Sequence, residues 1–171
     1  MEFVNQTVIG KKELTSLARG ARKSVRRRRG VIVRIVGTAV ILLNVLFCVL
    51  SIQAGDSRWW VNGVLALFLL VIIFGEDQLN GHLSTKYILP DARAVTASFG
   101  PEEYISATAS SESHFTYDQI QAVCETDAYF LFYLNRNLGQ IYDKNGFTKG
   151  TAMAFREFIS RKTGLQIRNI R

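Results

Sequence analysis

The sequence predicts an α+β membrane protein, in which a two-helix transmembrane hairpin is joined to a small antiparallel β-sheet that curves into a half-barrel capped by a C-terminal helix. Two long apolar runs predict the hairpin, because neither shows the polar face of a helix in a soluble core. Alternating apolar and polar residues after residue 91, followed by one amphipathic segment, predict the sheet and its cap. These features divide the chain into residues 1–30, 31–75, 76–90 and 91–171.

Positive charge is concentrated at the N-terminal end of the chain. The formal net charge of the 171 residues is +7. Residues 1–34 contain ten basic and two acidic residues, whereas the charges of residues 75–171 nearly balance. The high apolar content with little proline excludes a disordered chain. The two cysteines, Cys48 and Cys124, exclude a disulfide framework and a four-cysteine zinc site.

Residues 1–30 predict a strand and a basic juxtamembrane helix. Residues 1–9 contain good strand formers, and Gly10 ends them. Residues 11–29 predict a helix that continues into the first span, with Gly30 at the joint. Its apolar residues recur at helical spacing: Leu14, Leu17, Ala18, Ala21 and Val25.

Residues 31–52 and 59–74 predict the two spans of the hairpin. As helices they extend about 33 Å and about 24 Å, against about 30 Å for a hydrocarbon core. Arg34 lies close enough to one end to reach the headgroups, and Trp59 and Trp60 are residue types enriched at membrane interfaces. The alternatives are two core helices of a soluble protein, or a cleaved signal peptide in place of the first span.

A basic cluster before the first span predicts the orientation of the chain. It consists of Arg22, Lys23, Arg26, Arg27, Arg28 and Arg29. Because positive charge resists translocation, the N-terminus should be cytoplasmic, and two spans should return residues 76–171 to the same side. The expected location is therefore the inner cell membrane, multi-pass, with both termini in the cytoplasm. The cluster serves as a topology signal, or it also binds anionic lipid headgroups. Without aromatic stacking residues it does not indicate nucleic-acid binding.

A helical linker over residues 76–90 is expected to lead into the sheet. Short strands are predicted near residues 95–99, 104–109, 114–117, 120–125, 129–134 and 140–143. Thr151 and Gly164 should cap the terminal helix, and the tail after it is either a last strand or loose. The aromatic strand at residues 129–134 should place one face in the core. Its other face either forms a peptide groove or packs on the terminal helix.

The layout and several stretches resemble the bacterial YcxB-like membrane proteins. The stretches are residues 115–126, the aromatic run 129–133, residues 141–144 and Phe147. The resemblance implies a C-terminal domain similar to the pleckstrin-homology fold over residues 91–171. It implies fold and topology, and it implies no reaction.

No catalytic or metal-binding pattern is present in the sequence. His82 and His114 lack companion ligands at metal-binding spacing, and only His82 with Glu76 and Asp77 offers a candidate catalytic cluster. We therefore expect a non-enzymatic protein without cofactor or metal, which tethers an interaction domain to the inner leaflet and binds protein, anionic lipid or its own copies. The alternative is an accessory subunit or regulator of a membrane transporter or envelope complex, with Asn44 and Gly63 in helix packing.

Overall fold

The computed structural model describes residues 2–25, 27–87 and 90–170. These residues form four α-helices and two β-sheets, so the α+β class is confirmed. The helices are α1 (Lys11–Lys23), α2 (Arg27–Gln53), α3 (Trp59–Tyr87) and α4 (Ala152–Thr163). The strands are β1 (Phe3–Val8), β2 (Ala94–Phe99), β3 (Glu103–Ala107), β4 (Glu112–Thr116), β5 (Ala122–Glu125), β6 (Tyr129–Tyr133), β7 (Gly139–Asp143), β8 (Phe147–Lys149) and β9 (Arg168–Asn169).

The chain divides into two compact units, and the first is built from both ends of the sequence. Residues 1–26 and 80–171 form this first unit, and residues 27–79 form the second. The segment 1–30, which the sequence sets apart from 91–171, therefore shares a unit with the C-terminal sheets. Periodicity within one strand cannot reveal this, because a strand does not specify its partner.

Strand β1 lies inside the first sheet, whose order is β4-β3-β2-β1-β8. It pairs with β2 along its whole length, from Phe3 opposite Phe99 to Val8 opposite Ala94. On its other side it pairs with β8. Residues 3–8 and 94–99 are thus neighbours in one antiparallel ladder, although the entire helical segment separates them in sequence.

A buried polar network also connects β1 to β7. The side-chain amide of Asn5 donates to the carbonyl oxygen of Asp143 (2.7 Å), and the Thr7 hydroxyl donates to Asn5 Oδ1 (2.7 Å). The backbone amide of Asp143 donates to Thr7 Oγ1 (2.8 Å). Asn5 and Thr7 are both buried, so each bond replaces contacts with water that the unfolded chain would have.

The second sheet has the order β7-β6-β5-β9, with β9 parallel to β5. An aromatic core lies between the two sheets, and α4 closes it with Phe155, Phe158 and Ile159. As predicted, Thr151 caps α4 by accepting from the Ala154 amide, and Gly164 ends it with φ 65°. The tail contributes β9 as a last, two-residue strand.

An ion-pair triad fastens α4 to the ends of β5 and β7. The Glu125 carboxylate, 15% exposed, contacts Lys144 Nζ at 2.7 Å and Arg156 Nε at 2.8 Å. Burial tends to raise the pKa of Glu125, but the hydrogen bonds from Lys144 and Arg156 outweigh it. The net effect lowers this pKa below its ordinary value.

The joint between the basic helix and the first apolar helix lies earlier than predicted. Helix α1 ends at Lys23 and α2 begins at Arg27, so Gly30 lies within α2 and not at the joint. At Ser24 the backbone leaves the helical conformation (φ −113°, ψ −85°), while the Ser24 hydroxyl and amide both donate to the Gly20 carbonyl. Serine favours such a local bond at a helix end, so the Ser24 side chain is the sequence signal for this earlier joint.

Candidate membrane interface

Among the described residues, one helix is long and apolar enough to cross a membrane, the segment Val31–Gln53 of α2. A shorter apolar helix, Trp59–Ile73, forms the first half of α3. The large apolar side chains of both helices are mostly exposed, which differs from the packed core of the first unit. Length, composition and exposure therefore support membrane association of this segment.

Helices α2 and α3 pack against each other along a narrow antiparallel seam. A Cβ added at Gly37 would overlap the Ile73 side chain, and one added at Gly63 would lie 3.8 Å from Cys48 Sγ. Ala66 is buried on the same line, 7% exposed. Small residues let two helices approach closely, so the seam is internal to the pair and the bulky residues point outward.

The predicted interface residues lie at the two ends of this helix pair. Arg34 is exposed in the N-terminal part of α2, and Trp59 and Trp60 are exposed in the first turn of α3. Because the helices are antiparallel, Arg34 and the tryptophans lie at opposite ends, bracketing the apolar surface between them. Arginine near a helix end and tryptophan are residue types that favour a membrane–water interface.

The basic cluster is only partly described. Arg22 is half-buried and Lys23 exposed, both in the last turn of α1. Arg26 lies outside the described residues. Arg27, Arg28 and Arg29 form the first turn of α2, and their side chains also lie outside the description.

Helix α1 carries three further basic residues that the sequence analysis did not assign to the site. Lys11, Lys12 and Arg19 are all exposed. At about 100° per residue, the five basic residues of α1 fall within an arc of about 120°. The sequence contains this signal, since the arc follows from helical spacing of the basic residues alone.

The opposite face of α1 is docked on the second sheet. The Tyr129 hydroxyl donates to Glu13 Oε1 (2.6 Å), and the Tyr133 hydroxyl donates to the Leu17 carbonyl (2.7 Å). Burial would raise the pKa of Glu13, but the hydrogen bond from Tyr129 and backbone hydrogen bonds outweigh it and lower this pKa. A Cβ at Gly20 would overlap the side chains of Tyr133 and Leu131, so glycine permits the close approach.

This docking corrects the expectation for the aromatic strand. All five residues of β6 are buried, because one face lies in the core between the sheets and α1 covers the other. That outer face packs on α1 at Tyr129, Leu131 and Tyr133. It forms neither a peptide groove nor a contact surface for the terminal helix.

The remaining candidate residues do not form a reactive cluster within the described part of the chain. His114 contacts Glu112 (3.1 Å) and Glu103 (3.5 Å) on an exposed sheet surface. No group of three or more potential metal ligands occurs among the described residues. The side chains of His82, Glu76 and Asp77 lie outside the description. Asn44 donates to the Val40 carbonyl of its own helix (2.9 Å).

A comparison with known protein families matches part of the chain. Residues 99–159 match the family model described as YcxB-like protein, which supports the predicted resemblance over this region. The matched region runs from the end of β2 into α4. No curated protein and no solved structure matches the chain.

Proposed function

We propose that this chain is a non-enzymatic integral membrane protein of the inner membrane, which tethers a cytosolic interaction domain to the inner leaflet through two membrane-spanning helices. Helices α2 and α3 are the spans in this proposal. The first unit, assembled from both chain ends, is the interaction domain.

The pairing of β1 with β2 is the observation that carries the proposal. Strand β1 precedes the helical segment and β2 follows it, and all six residues of β1 pair with β2. Two strands of one sheet must lie on the same side of a membrane. If α2 crosses the bilayer, the chain must therefore cross back before Ala94, and α3 is the helix available between them.

The short apolar length of α3 is compatible with a second span. Its apolar part, Trp59–Ile73, is about 22 Å long at 1.5 Å per residue. A span shorter than the hydrocarbon core is accommodated by local thinning, at a fraction of a kcal/mol per ångström. Packing against α2 along the Gly37 and Gly63 seam adds contacts that a single short helix would lack.

The layout of the first unit supports an interaction domain of pleckstrin-homology type. Strands β1 to β4 form one antiparallel meander, β5 to β7 form a second, and α4 follows. Among the described residues, every buried side-chain nitrogen or oxygen has a hydrogen-bond partner. The buried polar groups therefore serve to hold the fold together, and the groups that recognise a partner are those on the surface.

The interaction role is tested by affinity purification of the full chain in mild detergent, with mass spectrometry of bound proteins and lipids. The matched control retains residues 27–79 but replaces the first unit with an unrelated soluble domain. We expect a protein or an anionic lipid that is recovered with the full chain and lost with the control. Equal recovery with both would mean that the helices are the recognition element, and it would contradict the proposal.

A further inference from the structure

We infer that the outward face of α1 is a binding surface for anionic phospholipid headgroups and lies flat against the inner leaflet. The face is formed by Lys11, Lys12, Arg19, Arg22 and Lys23. This inference rests on the proposed function, because it requires the bilayer that α2 would cross. It extends the basic cluster back along the whole of α1.

The charge separation across α1 is nearly complete. The acidic residue of α1, Glu13, lies on the docked face and accepts a hydrogen bond from Tyr129. Leu17, Ser24 and Gly20 lie on the same side, about 180°, 160° and 120° from the centre of the basic arc at 100° per residue. The cations of α1 thus lie on its outward face, and its acidic residue lies on the docked face.

Chain continuity brings this face to a bilayer surface. Helix α1 ends at Lys23 and α2 begins at Arg27, and four residues extend at most about 14 Å. Attraction of basic residues to anionic lipid decays within a Debye length, which is about 8 Å at physiological ionic strength. The last turn of α1 is therefore held within about two Debye lengths of the start of α2, whereas a soluble polyanion has no such tether.

The composition of the face also favours lipid over nucleic acid. Helix α1 contains no aromatic residue, so it offers no platform on which bases could stack. Besides the cations, the same arc contains Thr15, a small residue whose hydroxyl donates to the Lys11 carbonyl. Long basic side chains on a helix surface can bind mobile lipid headgroups, because this binding requires charge attraction and no shape complementarity.

The docking of α1 transmits this contact to the whole unit. The bonds from Tyr129 to Glu13 and from Tyr133 to Leu17 fix α1 to the second sheet. A headgroup contact on the basic face therefore also bears on the second sheet.

The test uses the full chain in lipid nanodiscs with a fluorescent label on the face. The label is attached at Thr15→Cys in a Cys48→Ala background. The remaining cysteine, Cys124, is buried and therefore protected from the reagent. Lipids with a spin label on the headgroup quench a fluorophore that lies at the surface. We expect quenching that increases with phosphatidylglycerol content and weakens at high salt. A label at Met153→Cys on α4 should show no such dependence.

Charge reversal provides the matched comparison. Lys12→Glu with Arg19→Glu should raise the phosphatidylglycerol fraction for half-maximal quenching at least fivefold, or abolish quenching, since each basic residue contributes about fivefold or more. The control is Arg161→Glu with Lys162→Glu on the exposed side of α4. It should change the phosphatidylglycerol fraction for half-maximal quenching by less than twofold.

The inference would be overturned if quenching did not depend on the phosphatidylglycerol content, or if it persisted in the Lys12→Glu, Arg19→Glu variant. It would also be overturned if a duplex oligonucleotide displaced the label from the surface. In these outcomes the protein remains in the nanodisc. Failure of the proposed function is distinct, because the chain would then not insert at all and alkaline carbonate would strip it from native membranes.

Discussion

Replacing Asn5 with alanine should loosen β1 from the rest of the first unit. Asn5 is fully buried, and its amide bridges Asp143 and Thr7. The substitution removes two hydrogen bonds and leaves the Thr7 hydroxyl without an acceptor, whereas the Asp143 carbonyl still accepts from the Gly146 amide. A lost hydrogen bond costs about 1 kcal/mol and an unsatisfied buried group about 1–3 kcal/mol, so the free energy of unfolding should fall by about 3 kcal/mol.

For a unit of this size, such a loss lowers the Tm by about 10 °C. The assay is thermal unfolding of the full chain in detergent micelles, followed by near-ultraviolet circular dichroism of the buried aromatic residues. Gln6→Ala is the control, because Gln6 is the adjacent residue of β1 and its side chain is exposed. If Asn5→Ala and Gln6→Ala unfold at the same temperature, the network does not hold β1, and the reasoning that joins the two chain ends loses its main energetic support.

Three further perturbations test other parts of the fold. Glu125→Gln should lower the free energy of unfolding by about 1–2 kcal/mol at pH 7. Because the folded pKa of Glu125 lies below the ordinary 4.5, its ion pairs stabilise the fold above that pH and are lost as the pH falls through the folded pKa. The difference in the free energy of unfolding between Glu125→Gln and the wild type should therefore vanish as the solution is acidified below the folded pKa. Gly20→Leu should displace α1 from the second sheet at a cost of about 2 kcal/mol, seen as faster hydrogen exchange in α1. A chain in which a Gly/Ser linker of about 12 residues replaces residues 27–79 should fold without detergent. Such a linker reaches about as far as α1 is long, so the chain can return from the end of α1 toward β2. Residues 91–171 alone should not fold, because they lack β1.

Each of these perturbations has its own comparison. Glu102→Gln, at an exposed turn, should leave the acid dependence unchanged, and an equal loss there would point to a general charge effect. Arg19→Leu lies beside Gly20 on the outward face of α1, and it should not accelerate exchange. A folded fragment 91–171 with native-like circular dichroism would mean that β1 is an accessory strand and not part of the core sheet.

Local patterns in the sequence predicted most of the individual elements. The Thr151 and Gly164 caps, the aromatic strand β6 and the early strand β1 all follow from propensity and spacing, which act within a few residues. The partners of β1 and β6 did not follow, because pairing depends on contacts between residues far apart in sequence. The two alternatives offered for the outer face of β6 both omitted α1, which the sequence analysis had assigned to a separate juxtamembrane segment.

The candidate interface was predicted in outline and extended by the structure. The apolar runs, Arg34, Trp59 and Trp60 can be picked out from the sequence alone, because a membrane span predicts both an apolar length and interfacial residue types. The outward face of α1 was also readable in principle from helical angles. The structure adds that Glu13 lies on the docked face. A net charge summed over the whole helix includes Glu13 and therefore understates the positive charge of the outward face.

The side of the membrane on which each segment lies tests the central claim most directly. Single cysteines at Val8, Ser57 and Met153, all exposed positions, sample the segment before α2, the connection between α2 and α3, and helix α4. In a Cys48→Ala background, intact spheroplasts are treated with a membrane-impermeant maleimide, and labelling is repeated after permeabilisation. The account predicts that Ser57→Cys reacts in intact spheroplasts, and that Val8→Cys and Met153→Cys react only after permeabilisation. Val8 and Met153 on opposite sides, or all three positions on one side, would contradict it.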